Sequence, residues 1–257
     1  MSVNILAIGD VSGQGGLTFL SSKLRSVKKY YNVSFTVVNG ENISMKGLTP
    51  EQADELFRAG ADVITLGNHT YGRWAIIPYL DDCQYILRPA NYAPQNPGRG
   101  WGVFDAPFGQ VTVINLIGRC DMHFGTENPF FEADRILKQT KTAVTLVDFH
   151  AEATSEKRAM AEYLDGRVTA VWGTHTHVQT NDPMVLKGGT GFITDVGMTG
   201  PINSVIGIKP EDSISMFLGN PPKKYEPARG PYKIECALFE IDEKSGKTIS
   251  VEPLRIT

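Results

Sequence analysis

Apolar runs and helical periods alternate from the start of the chain. Asn4-Ile-Leu-Ala-Ile-Gly-Asp10 is a short apolar run that ends in Gly9 and a carboxylate, the pattern of a buried strand. Gly13, Gly15 and Gly16 predict a loop, and Leu17, Leu20, Leu24, Val27 and Tyr31 follow at the spacing of one helix face. A second strand is predicted over residues 34–39 and runs into Gly40-Glu41-Asn42. Thr49, followed by Pro50 and then Gln52, starts a helix that buries Ala53, Leu56 and Phe57 and stops at Gly60. Residues 63–66 form a third strand that leads into Gly67-Asn68-His69. Strand, polar loop and helix in repetition argue for α/β layers with a largely parallel sheet at the start.

The pattern loosens in the middle. Residues 88–100 are rich in Pro, Gly and Asn and read as an ordered loop. A strand over 111–116 runs into Gly118-Arg119, and Asn128-Pro129 opens a helix to about residue 139. The strand over 143–149 hands over His150, and a helix covers roughly 155–164. Val168-Thr-Ala-Val-Trp172 is a β-branched strand ending in Gly173-Thr-His-Thr-His177, and residues 191–194 form another strand. Residues 232–241 and 249–256, separated by a turn at 243–247, predict a closing antiparallel hairpin. No break in composition divides the chain, so one domain over residues 1–257 is expected.

Composition narrows the class. The hydrophobic content of 41% suits a globular core, and no apolar stretch of about 18 residues predicts a membrane span. The first residues lack the basic region of a signal peptide. Cys83, Cys120 and Cys236 are odd in number and widely spaced, which points to free thiols and a cytoplasmic setting. With a net charge of -3 and a pI near 6.0, an extended nucleic acid is not the expected partner. The basic run from Lys23 to Lys29 reads as a solvated helix face. A small anionic substrate is compatible if metal ions supply the positive charge.

The chemistry lies at the strand ends, where α/β sheets gather functional groups. Asp10, Glu41, Asn42, Asn68, His69, His150, His175 and His177 all fall there. Of the five histidines only His123 lies in an irregular region. If the 175–177 segment is extended, His175 and His177 point to one side and reach one place. Oxygen and nitrogen donors without thiolate suit Fe, Mn or Zn. There are too many donors for one tetrahedral ion, which predicts two metals sharing a carboxylate, about 3.5–4 Å apart.

Five blocks in order carry a resemblance: Gly9-Asp10, Asn39-Gly-Glu-Asn42, Gly67-Asn-His69, Asp148-Phe-His-Ala-Glu-Ala-Thr-Ser-Glu-Lys157 and Gly173-Thr-His-Thr-His-Val178. The chain resembles the calcineurin-like metallophosphoesterase superfamily. More closely it is similar to the bacterial YmdB-type branch, described as 2′,3′-cyclic-nucleotide 2′-phosphodiesterases. The resemblance implies an α/β fold, a β-sandwich of mixed sheets flanked by helices (αββα). It places one metal at Asp10, Glu41, Asn42 and His177 and a second at Glu41, Asn68, His150 and His175. His69 is then the general acid beside the metals; the alternative is a third histidine ligand. The implied cofactors are two divalent or mixed-valence ions, iron first and manganese next. The implied partner is a small cyclic nucleotide, opened to a 3′-nucleotide by metal-activated hydroxide, and a homo-oligomer is compatible. Two departures from the wider superfamily leave metal identity open: Asp10-Val-Ser12 lacks the usual histidine, and Glu41 stands where most relatives carry aspartate.

Other residues have plainer readings. Arg88 and Arg119 are expected as salt-bridged structural arginines, His123 as a solvated loop residue and Asp195 as a turn residue. Glu152 and Glu156 suit the first turn of a helix, and Tyr92 and Trp101 suit local packing. A phosphomonoesterase or nuclease on the same metal core remains an alternative, as does a regulatory nucleotide-binding protein with little turnover.

Overall fold

The computed structural model describes residues 1–122, 125–221 and 226–257. The chain begins β1 (Ser2–Ile8), β2 (Asp10–Val11), α1 (Gly13–Tyr30), β3 (Val33–Asn39), α2 (Pro50–Ala59) and β4 (Val63–Thr65). It continues through α3 (Ile76–Asp82), β5 (Ile86–Leu87), β6 (Trp101–Ala106), β7 (Gly109–Ile117) and α4 (Pro129–Leu137). Next come β8 (Val144–His150), α5 (Thr154–Leu164), β9 (Ala170–Thr174), β10 (Met184–Val185), β11 (Gly191–Ile193) and β12 (Met198–Pro201). After α6 (Pro210–Phe217), the strands β13 (Tyr232–Asp242) and β14 (Thr248–Ile256) close the fold as the expected hairpin.

In the first sheet β1, β3, β4 and β5 pair in parallel, and β13 joins antiparallel to β1. Its order is β2-β12-β13-β1-β3-β4-β5, with β14 beside β13. The second sheet runs β10-β11-β9-β8-β7-β6, with parallel strands inside and an antiparallel strand at each edge. Successive side chains of a strand face opposite ways. In β1, Leu6 and Ile8 pack with Leu17, Leu20 and Leu56 of α1 and α2, whereas Ile5 and Ala7 meet Val111, Leu146 and Trp172 between the sheets. On the far side, Ala133, Ile136, Met160 and Leu164 of α4 and α5 cover the second sheet. Helix, sheet, sheet, helix is therefore the layer order. The central strands are buried on both faces, which is why they read as continuous apolar runs.

Most boundaries fall within a residue or two of expectation, and the caps are the ones predicted. The Thr49 hydroxyl accepts from the Gln52 N–H, the Gln52 side chain accepts from the Thr49 N–H at 3.1 Å, and Gly60 ends α2 with φ +118°. The Asn128 side chain accepts from the Phe130 N–H at 2.9 Å at the start of α4. Gly13, Gly15 and Gly16 correct the sequence reading, because they open α1 instead of forming a loop. A Cβ on Gly15 would lie 2.1 Å from the Tyr232 hydroxyl, and one on Gly16 would lie 2.6 Å from the Thr199 carbonyl oxygen. Gly15 and Gly16 are therefore present for close packing, whereas Gly13, with φ +70° and no tight contact, turns the chain into the helix. Strands β2, β5, β6, β10 and β12 and the short helices α3 and α6 carry no sequence signal; none has a long enough period to stand out. No helix among the described residues is long and apolar enough to cross a membrane. His123 lies outside the described residues.

Candidate metal centre

The anticipated donors gather at the carboxyl ends of strands from both sheets. Asp10 lies in β2, Glu41 and Asn42 follow β3, and Asn68 and His69 follow β4. From the second sheet, His150 ends β8, while His175 and His177 follow β9. Gly67 forms the floor beneath them. A Cβ there would sit 2.4 Å from His150 Nε2 and 2.5 Å from Glu41 Oε2.

Two neighbouring groups of donors result. In one, Asn42 Nδ2 lies 3.3 Å from Asp10 Oδ1, 3.1 Å from Glu41 Oε1 and 3.1 Å from His177 Nε2. His177 Nε2 is 3.7 Å from Asp10 Oδ1. In the other, His150 Nε2 lies 2.8 Å from Asn68 Oδ1, 3.2 Å from Glu41 Oε1 and 3.1 Å from His175 Nδ1. Glu41 is common to both. An ion with bonds of about 2.1 Å holds adjacent ligands about 3.0–3.4 Å apart, which the Glu41, His150 and His175 spacings match. In the other group the Asn42 amide N–H instead occupies hydrogen bonds between Asp10, Glu41 and His177.

The two loop histidines correct one expectation. The segment is not extended: His175 has φ +100° and His177 has φ +62°. They do not reach one place, but serve opposite ends of the cluster. Asp195 helps to hold this shape. Its Oδ2 accepts from the Thr176 N–H and hydroxyl at 3.2 and 2.8 Å and from Lys157 Nζ at 2.7 Å. Asp195 is thus more than a turn residue.

Charge shows what the cluster requires. Asp10 and Glu41 are fully buried, and no Lys or Arg among the described residues forms an ion pair with either. Burial opposes ionisation of Asp10, but the hydrogen bond and charge of His177, the charge of His150 and the His175 N–H hold it well below the usual carboxylate range. Glu41 also sits low: burial opposes ionisation, and the charge and hydrogen bond of His150 prevail. Burial works against a charged His150, yet the Glu41 charge and hydrogen bond push its pKa up to about 9. Burial and the positive His150 push His175 down to about 4. In the chain alone, then, an imidazolium compensates two buried carboxylates. A divalent cation would fill that need directly and displace the proton, because metal-ligating imidazole is neutral. The donor set therefore fits metal ions, and Glu41, His150 and His175 converge tightly enough to share one.

His69 stands apart from that trio, with its backbone N–H donating to Glu41 Oε2 at 2.9 Å. Its pKa is lowered by burial; Glu41 opposes this, and the charges of His150 and Lys46 add to it. Behind His150, Nδ1 is 2.9 Å from Thr174 Oγ1, which donates to Asp148 Oδ1 at 2.8 Å. Such outer contacts orient a ligating imidazole. Burial raises Asp148 to about 6, against its hydrogen bonds from Thr65 and Thr174. An aspartate inside an apolar strand was the available signal for this relay.

The remaining residues divide. Arg88 is buried, but it bonds carbonyls of Pro89 and Asn96 and forms no salt bridge among the described residues. Arg119 is exposed, and Glu156 accepts from its backbone N–H instead of serving only the start of α5. Glu152 precedes α5 and faces His175 Nε2 at 3.2 Å. Tyr92 donates to the Gly67 carbonyl at 3.1 Å, and Trp101 packs against the core cluster beneath α4 and α5, both local roles as expected. The centre opens into a cavity of about 880 Å³ whose wall includes His69, Glu152, Lys46 and Arg73. Lys46 and Arg73 carried no signal in the sequence, being single cations in irregular loops.

Comparison with known proteins places this arrangement. The family described as YmdB-like protein matches residues 6–254. A Bacillus subtilis protein named 2′,3′-cyclic-nucleotide 2′-phosphodiesterase is 40% identical over 257 residues, 99% of this chain and 97% of that protein. A crystal structure from Mycoplasma pneumoniae, described as a novel phosphatase, superposes with a TM-score of 0.94 at 34% identity, covering 100% of this chain and 94% of that one. A hypothetical protein from Thermus thermophilus superposes with a TM-score of 0.93 at 35% identity, covering 99% of each chain.

Proposed function

The chain belongs to the YmdB-like family, and from that premise we propose that it is a metal-dependent phosphodiesterase that opens 2′,3′-cyclic nucleotides to 3′-nucleotides. The observation that carries the reading is a pair of fully buried carboxylates, Asp10 and Glu41, faced by imidazoles and amides with no Lys or Arg ion pair among the described residues. The name of the Bacillus subtilis relative supplies the substrate class. In this reading Asp10, Glu41, Asn42 and His177 hold one ion, Glu41, Asn68, His150 and His175 hold a second, and residues 1–257 act as one catalytic domain. The three free cysteines favour a cytoplasmic setting.

Bound ions, iron first and manganese next, supply positive charge to phosphoryl oxygens and acidify water. The chain's own residues do the rest. Asp148 and Thr174 fix the face that His150 presents. His69, free of the ligand trio, donates a proton to O2′ as the bond from phosphorus to O2′ breaks and water oxygen joins phosphorus. The product is a 3′-phosphate with a free 2′-hydroxyl.

The test reloads chelated protein with Mn²⁺ or Fe²⁺ and supplies 2′,3′-cyclic AMP, a linear diester and a monoester. Metal-dependent release of 3′-AMP is expected. Turnover of the monoester alone would make the protein a phosphomonoesterase, and turnover of the linear diester alone a nuclease. Silence on all three with metal bound would favour a regulatory nucleotide-binding protein. His69→Ala should lower turnover by about 10²–10⁴-fold with metal content intact. Loss of metal in that variant would reassign His69 as a ligand.

A further inference from the structure

Lys46 and Arg73 bring two positive charges to the wall of the cavity that holds the metal centre. Both stand on loops that continue from its residues. The Met45 N–H donates to the Asn42 carbonyl at 2.9 Å, the Gly47 N–H to the Glu41 carbonyl at 2.7 Å, and the Gly72 N–H to the His69 carbonyl at 2.9 Å. The two loops then meet backbone to backbone. A Cβ on Gly72 would lie 2.6 Å from the Lys46 carbonyl oxygen, and one on Gly47 would lie 2.9 Å from the Arg73 nitrogen. Gly47 also has φ +95°, a conformation glycine adopts without strain. Across this contact Arg73 Nη2 donates to the Ser44 carbonyl at 2.5 Å. Glycine thus permits an approach that brings the Lys46 and Arg73 backbones together, and both exposed side chains line the same cavity.

Neither cation forms an ion pair with a carboxylate among the described residues. The carboxylate of Glu152, on the same cavity wall, is engaged by His175 at 3.2 Å. Two cations without carboxylate partners on one cavity wall favour an anionic ligand there. The scissile phosphate already has the donor cluster. The cavity is also large for one phosphate, near the upper part of the range of about 300–1,000 Å³ usual for small-ligand sites.

We propose that Lys46 and Arg73 form a second anion subsite, which takes a substrate phosphate other than the one that reacts. The proposal rests on the phosphodiesterase reading. Arg73 follows His69 on one loop, and His69 serves the departing O2′, so the subsite lies on the leaving-group side of phosphorus. For a 2′,3′-cyclic nucleotide that side is the ribose, whose other phosphate-bearing position is O5′. The favoured substrate class is therefore a cyclic-phosphate nucleotide with a second phosphate on O5′. That phosphate is either a free monoester or the link to one preceding nucleotide.

Calorimetric titration of the Mn²⁺-loaded protein with 3′-AMP, adenosine 3′,5′-bisphosphate and the dinucleotide ApAp tests this directly. Charge-assisted hydrogen bonds from two cations predict that at least one of the two-phosphate ligands binds about tenfold or more tighter than 3′-AMP. Preference for the bisphosphate identifies a monoester, and preference for ApAp an internucleotide phosphate. In Lys46→Ala/Arg73→Ala the preference should nearly vanish, whereas Lys46→Arg/Arg73→Lys should keep most of it. Equal affinities in the wild-type protein, or a preference that survives the alanine pair, would overturn the subsite. Hydrolysis of 2′,3′-cyclic AMP without any such preference sinks the subsite alone. Preference without hydrolysis sinks the phosphodiesterase reading and leaves the anion site standing.

Discussion

Thr176 separates two histidines whose backbones lie in the left-handed region, a conformation that costs about 1–3 kcal/mol per non-glycine residue. Asp195 offsets that strain by accepting from both the N–H and the hydroxyl of Thr176 while Lys157 neutralises it. Both side chains of the pair are 1% exposed. Lys157→Met should destabilise the fold by about 3–5 kcal/mol in urea titration, because it leaves the Asp195 carboxylate buried without its counter-charge. The double variant Lys157→Met/Asp195→Asn should recover much of that stability. It should still bind metal more weakly than wild type in chelator competition, since Thr176 loses its charged acceptor. Recovery of metal affinity together with stability would remove the positioning role. In the sequence Asp195 looks like a turn residue, because Lys157 lies in another element and nothing local announces the pair.

Helix α1 shows two local rules in opposition. Propensity alone predicts that Gly16→Ala stabilises a helix by about 1 kcal/mol. The new methyl would lie 2.6 Å from the Thr199 carbonyl oxygen, a backbone atom that no rotamer can move aside. Overpacking of this kind costs about 1–3 kcal/mol, so the clash should win and the midpoint of urea denaturation should fall. Stabilisation instead would mean that α1 can shift away from β12. Thr49→Ala offers a contrasting case at α2, where only the cap is lost and about 1 kcal/mol is expected by the same measurement. The start of α2 was legible because its cap is a local pattern. That of α1 was not, because a glycine placed for packing looks the same as one placed for a turn.

At the scale of the molecule, the donors come from both sheets: Asp10, Glu41, Asn42 and Asn68 from the first, His150, His175 and His177 from the second. Metal bound by these candidate donors would therefore link the layers at one end of the sandwich. Metal at about a thousandfold over its dissociation constant adds roughly 4 kcal/mol of stability. Chelation should accordingly lower the melting temperature and increase amide hydrogen exchange at residues 41–47, 67–73 and 174–178. An unchanged melting temperature after complete chelation would mean that the sheets hold this end without metal.

The sequence by itself determined the layers and the strand ends at which the candidate donors stand. Strand and helix periods, caps and the placement of Asp10, Glu41, Asn68 and His150 at strand ends are local properties, readable because burial imposes a period on neighbouring residues. Only the tertiary structure decided the backbone of His175 and His177, the Lys157–Asp195 pair, the relay through Asp148 and Thr174, and the meeting of the loops that carry Lys46 and Arg73. Each depends on contacts between segments far apart in the chain. Such contacts form when the sheets stack and glycines let loops touch, and they leave no period behind.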